Sequence, residues 1–165
     1  MWLSDRRTFL VSLAALGGCG FTPVYGPEGA GTALQGAIRL RAPDGPGAYR
    51  FNQRFEERLG RSTSPTYEMA VNLSVKQVGM GSTSAGSTTR FRVDGTADVA
   101  LTLIATGEPV LRETITAFTG YSTTGNTAAT LAAERDAGAR LMVILADQTV
   151  DRLLLNADRL AQAAR

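Results

Sequence analysis

Tyr67-Glu68-Met69-Ala70-Val71-Asn72-Leu73-Ser74-Val75-Lys76 alternates without a slip: Tyr67, Met69, Val71, Leu73 and Val75 point one way, and Glu68, Asn72, Ser74 and Lys76 the other. A period of two over this length is a half-buried β-strand with one apolar face. Downstream, the stretch from Gly79 to Thr89 is almost wholly Gly, Ser, Thr and Ala and reads as a polar loop. Beyond it, Phe91, Val93, Ala97, Val99, Leu101 and Leu103 alternate with Arg92, Asp94, Thr96, Asp98 and Thr102. This is a second long strand, paired with the first as a hairpin, with Gly95 expected as a bulge. Gly107-Glu108-Pro109 turns the chain again, and Val110 to Phe118 is rich in β-branched residues, so three consecutive strands form a meander.

The flanks supply the second layer. Ahead of the meander, Ala37 to Arg41 is a short alternating strand, and Asp44-Gly45-Pro46-Gly47 is a turn. Ala48, Phe51, Phe55 and Leu59 then recur at spacings of three and four, which predicts a helix ending at Gly60. After Gly120 to Asn126, an apolar stripe from Leu131 to Ala161 predicts one long helix, with Gly138 its one weak position. The order is β-α-β-β-β-α. With one apolar sheet face and one apolar stripe on each helix, both helices should cover that face, giving a two-layer α+β sandwich on a four-stranded mixed sheet. The helical crossover allows the first strand to lie parallel to a meander strand, and its place in the sheet is left open.

The amino terminus has a different character. Arg6-Arg7, the apolar run from Thr8 to Leu16, and Gly17-Gly18-Cys19 have the layout of an export signal, too short to span a bilayer. Leu16-Gly17-Gly18-Cys19 resembles the lipobox of bacterial lipoproteins, in which the chain is cut before a cysteine that carries diacylglycerol. The alternative is that Cys19 is a small buried thiol. Asp5-Arg6-Arg7-Thr8-Phe9-Leu10 resembles a twin-arginine signal, although two arginines also suit the general secretory route. The chain is thus divided into residues 1–18, a removed signal peptide; 19–35, a lipidated cysteine and flexible tether rich in Gly and Pro; and 36–165, a single α+β domain.

Composition narrows the function. The chain has 165 residues, 17 Lys+Arg and 15 Asp+Glu; losing Asp5, Arg6 and Arg7 with the leader leaves 15 against 14, which gives no reason to expect nucleic-acid binding. Histidine is absent and Cys19 is the one cysteine, so Ser-His-Asp, Cys-His and His-based metal chemistry are excluded. Asp94 and Asp98, four residues apart on a strand, stand about 13 Å apart, too far for a glycosidase pair. No enzyme activity, metal or cofactor is expected beyond the covalent lipid on Cys19.

Cys19-Gly20-Phe21-Thr22-Pro23-Val24-Tyr25-Gly26 resembles the mature start of the LptE family of lipopolysaccharide-assembly lipoproteins, of the alphaproteobacterial type, whose element order is also the one predicted. The resemblance implies anchorage to the inner leaflet of the outer membrane on the periplasmic side, and a place as a plug inside an LptD-type β-barrel. It also implies help in that barrel's assembly and in delivering lipopolysaccharide to the outer leaflet. Gly20 is compatible with outer-membrane sorting, since an aspartate there would favour inner-membrane retention in enteric bacteria. For a lipopolysaccharide contact the candidates are Arg90 and Arg92, at the end of the polar loop and on one face of the strand. Alternatively they are solvating charges paired with Asp94 and Asp98. Competing functions are an auxiliary lipoprotein of a lipid-trafficking ABC system and a lipoprotein activator of cell-wall synthesis.

Overall fold

The computed structural model describes residues 25–26, 29–43, 45, 47–82, 86–123 and 126–164. The signal peptide, Cys19 and residues 20–24 and 27–28 of the tether lie outside the described residues. The elements are α1 (Ala30–Leu34), β1 (Ile38–Leu40), α2 (Ala48–Leu59), β2 (Tyr67–Ser82), β3 (Thr88–Leu103), β4 (Pro109–Ser122), α3 (Thr127–Leu155) and α4 (Ala157–Ala163). The sheet order is β1-β2-β3-β4, with β1 parallel to β2 and the rest antiparallel. The two-layer α+β fold with a four-stranded mixed sheet is therefore the observed one, and β1 takes the edge beside β2.

Alternation sets the two faces. On the helix side, Tyr67, Met69 and Val71 of β2, Val93, Ala97, Val99 and Leu101 of β3, and Leu111 and Ile115 of β4 are buried. They meet Phe51, Phe55 and Leu59 of α2, and Leu141, Met142, Leu145 and Val150 of α3, in a single core. Burial fades along β2, however, and Val75 is 43% exposed although it is in phase with the core. Length explains this. A helix of 12 residues such as α2 spans about 18 Å, whereas 16 residues of β2 span about 50 Å, so α2 covers only the first third of the strand. The 29 residues of α3 span about 43 Å and alone accompany the sheet to its far end.

Three local expectations need correction. Gly95 is not a bulge: it pairs in register with Val75 and with Ala117. Its role is steric, because a Cβ there would stand 2.8 Å from Leu141 Cδ2 and 3.0 Å from Leu145 Cδ1, both on buried side chains. Glycine lets α3 sit down on the sheet. The irregularities occur instead at Gly79/Gly81, at Gly81/Ser82 and at Leu101/Thr102. Second, the polar loop is shorter than expected, since β2 runs to Ser82 and β3 resumes at Thr88; small residues with little packing of their own still complete the ladder. Third, the last helix is two. Asn156, at φ −101° and ψ 7°, leaves helical geometry and ends α3, its side-chain Nδ2 donating to the Arg152 carbonyl at 2.8 Å, and α4 starts anew at Ala157. At the other end Asn126 caps α3, its Oδ1 accepting from the Ala129 N–H at 2.8 Å.

The short α1 falls at the end of the stretch read as tether, with Leu34 buried against the core and α1 lying next to α4. Tyr67 fixes α4 in turn, its buried hydroxyl donating to the Leu160 carbonyl at 2.7 Å. Burial pushes the Tyr67 hydroxyl's pKa up. No helix among the described residues is long and apolar enough to cross a membrane.

The two long helices are joined on their outer side by ion pairs. Arg54 donates to both Asp147 oxygens, at 2.8 and 3.3 Å, and Arg58 spans Asp147 at 3.0 Å and Asp151 at 2.8 Å. Partial burial works to raise the Asp147 pKa, but hydrogen bonds from Arg54 and Arg58 outweigh it and hold the carboxyl below its ordinary 3.8. A lowered carboxylate pKa stabilises the fold above the unfolded value, and that contribution is lost as pH falls through the folded one. Asp147→Asn is therefore expected to lower stability by about 1 kcal/mol at pH 7, the scale of a partly exposed network. Denaturant titrations of the two proteins should converge below pH 3.8; a constant gap down to pH 2 would show that the network contributes nothing through its charge.

Candidate functional site

The sheet's other face is open, and Arg90 and Arg92 stand on it together near the hairpin end of β3, as their i, i+2 spacing requires. Their surroundings differ. Arg92 Nε lies 2.6 Å from Asp94 Oδ1, and its guanidinium lies over the Phe118 ring, 4.3 Å from the centroid. Strand register produces this stack: Arg92 faces Gly120 across β4, so the missing side chain leaves its guanidinium free to lean onto the diagonal neighbour Phe118. Arg90 faces Ser122, is exposed, and has no ion pair or hydrogen bond among the described residues. One cation is held in place and the other is free.

Around them Met80, Phe118, Gly120 and Ser122 line a shallow groove of about 450 Å³. Met80 is 61% exposed and Phe118 62%, unusual for large apolar side chains standing beside two guanidiniums. On the opposite side of the sheet, the Phe91 and Tyr121 rings stack 5.3 Å apart and stiffen the strands beneath the groove. The Tyr121 hydroxyl donates to Gln77 Oε1 at 3.1 Å, and Gln77 donates to Glu134 of α3 at 2.7 Å, tying this end of the sheet to the helix layer. Apolar surface next to unspent positive charge suits an amphiphile with anionic groups at its head.

The pairing of Arg92 with Asp94 is as the solvating alternative anticipated, whereas Asp98 accepts a 2.7 Å hydrogen bond from the Thr114 hydroxyl and meets neither arginine. Met80 and Phe118 are the members that the sequence reading missed. Phe118 had a visible signal, since it shares its face of β4 with Arg112, Thr114 and Thr116, where an aromatic is out of place. Met80 had a weaker one, a lone large side chain between Gly79 and Gly81.

The described domain is a two-layer α+β sandwich with one sheet face packed on helices and the other open, carrying an amphipathic groove. The chain belongs to the LptE family of lipopolysaccharide-assembly proteins, whose model matches residues 36–153. No curated protein matches its sequence. Among solved structures it is similar to a Caulobacter crescentus chain assigned as a lipoprotein, with 20% identity and a TM-score of 0.63 over 78% of this chain and 96% of that one. It is also similar to a minor lipoprotein from Acinetobacter baumannii, at 14% identity and a TM-score of 0.55 over 72% and 89% of the two chains. A third similar structure is rare lipoprotein B from Shewanella oneidensis, at 10% identity and a TM-score of 0.54 over 76% and 96%. At these identities the likeness is one of fold.

Proposed function

We propose that this protein is a lipid-anchored outer-membrane lipoprotein, attached through Cys19, that plugs an LptD-type β-barrel and assists its assembly while lipopolysaccharide is delivered to the outer leaflet. The observation that carries this reading is the family match over 36–153, in a domain whose open face sets Arg90 and Arg92 beside Met80 and Phe118. Lipopolysaccharide presents phosphates next to acyl chains, and this groove presents guanidiniums next to apolar side chains. Catalysis has no part in the role.

Chain connectivity supports the orientation. Tyr25 is near enough to Arg58 to help raise its pKa, so the first described residue sits at the end of α2, the end where β2 begins and β3 finishes. Cys19 is six residues earlier and reaches at most about 21 Å from it. Arg92 lies eleven residues up β3 from Leu103, about 36 Å along the strand. An anchor at one end would leave the groove projecting from the other, away from the leaflet that holds the lipid.

The test is a titration of the purified domain with lipopolysaccharide. Arg90→Ala combined with Arg92→Ala is expected to weaken binding by at least tenfold, since each charge-assisted contact contributes about 1.5–3 kcal/mol. Stability should fall by no more than about 1–2 kcal/mol, the scale of the exposed ion pair and cation–π contact that Arg92 makes. Unchanged affinity in the double variant would remove the two arginines from the contact.

A further inference from the structure

β4 is the free edge of the sheet, with no strand beyond it among the described residues. Odd-numbered residues of this region bond inward to β3, as the Thr123 N–H to Thr89 carbonyl bond shows. Even-numbered ones therefore turn their N–H and C=O groups outward. At the two ends these groups are met: Arg159 donates to the Val110 carbonyl and Arg140 to the Gly120 carbonyl, each at 3.4 Å. Between them, the outward backbone groups of Arg112, Thr114, Thr116 and Phe118 have no protein partner among the described residues.

Exposed edges are normally blocked by proline, charged side chains or a bulge. From Thr114 to Phe118 there is none of these; Arg112 and Glu113, Pro109 and the one irregularity of this pairing lie in the first half of the strand. Beside the same stretch, a cleft of about 460 Å³ opens between the edge and the last turns of α3, walled by Gln148, Asp151, Arg152 and Leu155, the last 79% exposed. An open strand edge flanked by a helix is the frame on which extended peptides are bound by strand addition: backbone groups supply affinity, and a side pocket reads alternate side chains.

We infer that the β4 edge takes up an extended segment of the barrel partner as a fifth strand along Arg112–Phe118, one guest side chain entering the cleft beside α3. The inference rests on the barrel reading given above. Only a polypeptide backbone offers donors and acceptors at the repeat this edge presents. The side chains around it point to a barrel interior rather than to a second copy of the chain, because Arg112, Thr114, Thr116, Gln148, Asp151 and Arg152 are polar or charged. Lumenal surfaces of barrels are polar, whereas stable homodimer seams resemble an apolar core cut in half. The guest should carry hydroxyl or β-branched side chains opposite Thr114 and Thr116, and an apolar one toward Leu155.

The experiment uses the full-length protein extracted from membranes, with a photocrosslinking amino acid at position 116, beside Thr116→Pro and Thr116→Val. Proline at 116 removes an outward N–H and leaves the ladder to β3 intact; valine keeps the N–H and the shape. Expected are crosslinks to one extended segment of the barrel, recovery of barrel by Thr116→Val at the wild-type level, and recovery by Thr116→Pro at least tenfold lower. Crosslinks to a second copy of this chain, or no crosslink from a protein that still brings down the barrel, would overturn the inference and leave the barrel reading standing. Because crosslinking does not depend on the proline variant folding, it decides the matter alone. A wild-type protein that recovers no barrel would overturn the barrel reading, and this inference with it.

Discussion

Gly95→Val is expected to destabilise the domain by about 2–3 kcal/mol, at the upper end of what overpacking a core costs. The cause is distance rather than backbone strain, since Gly95 is not among the glycines with positive φ. The first added carbon would already stand 2.8 Å from Leu141 Cδ2, 3.0 Å from Leu141 Cγ and 3.0 Å from Leu145 Cδ1. Leu141 and Leu145 are fully buried, so either could withdraw only by displacing other core side chains. Valine's two further methyl groups would lift α3 from β3, and α3 is the one long helix that accompanies the sheet to its far end. Thermal unfolding should show a fall of about 10 °C, with Gly95→Ala between the variant and wild type. An undiminished melting temperature would mean that α3 does not seat on this glycine.

Cys19→Ala should produce the other large effect: expressed without the barrel partner, the protein should pass completely from the membrane fraction to the soluble periplasmic fraction, with an unchanged far-UV circular dichroism spectrum. Cys19 lies outside the described residues, and the core it would have to disturb begins at Leu34. A single acyl chain gives only marginal, reversible attachment, whereas two or three hold a protein firmly, so removal of the proposed lipid-bearing residue is expected to act in full. Membrane retention of the alanine variant would show that another part of the chain anchors it. The positions of Arg90 and Arg92 at the hairpin end of β3, far from where the described chain begins, predict that its soluble form still binds lipopolysaccharide in the titration described above.

How much of this was legible in the sequence depended on how local the cause was. The alternation of β2 from Tyr67 to Leu73 and the spacing of Phe51, Phe55 and Leu59 are set by one face meeting one core, and both elements stand as read. Val75 kept the alternation but not the burial, because coverage depends on the relative lengths of α2 and β2. Gly95 was visible as special, but a bulge and a close helix approach leave the same mark in one dimension. Asn156 was invisible, since an apolar stripe runs across the break, from Val150 and Leu153 before it to Ala157 and Leu160 after it. The clamp from Arg54 and Arg58 to Asp147 joins residues more than 85 positions apart, beyond any local pattern. At the candidate site, the pair Arg90 and Arg92 followed from strand parity. Its apolar half, Met80 and Phe118, needed the bulge at Gly79/Gly81 and the register of β4 against β3.

Affinity purification of the membrane-extracted mature protein, followed by mass spectrometry of what accompanies it, tests the central claim most directly. Recovery of a large outer-membrane β-barrel protein in stoichiometric amount is the predicted result. Recovery of ABC-transporter subunits or of peptidoglycan synthases, with no barrel, would contradict it.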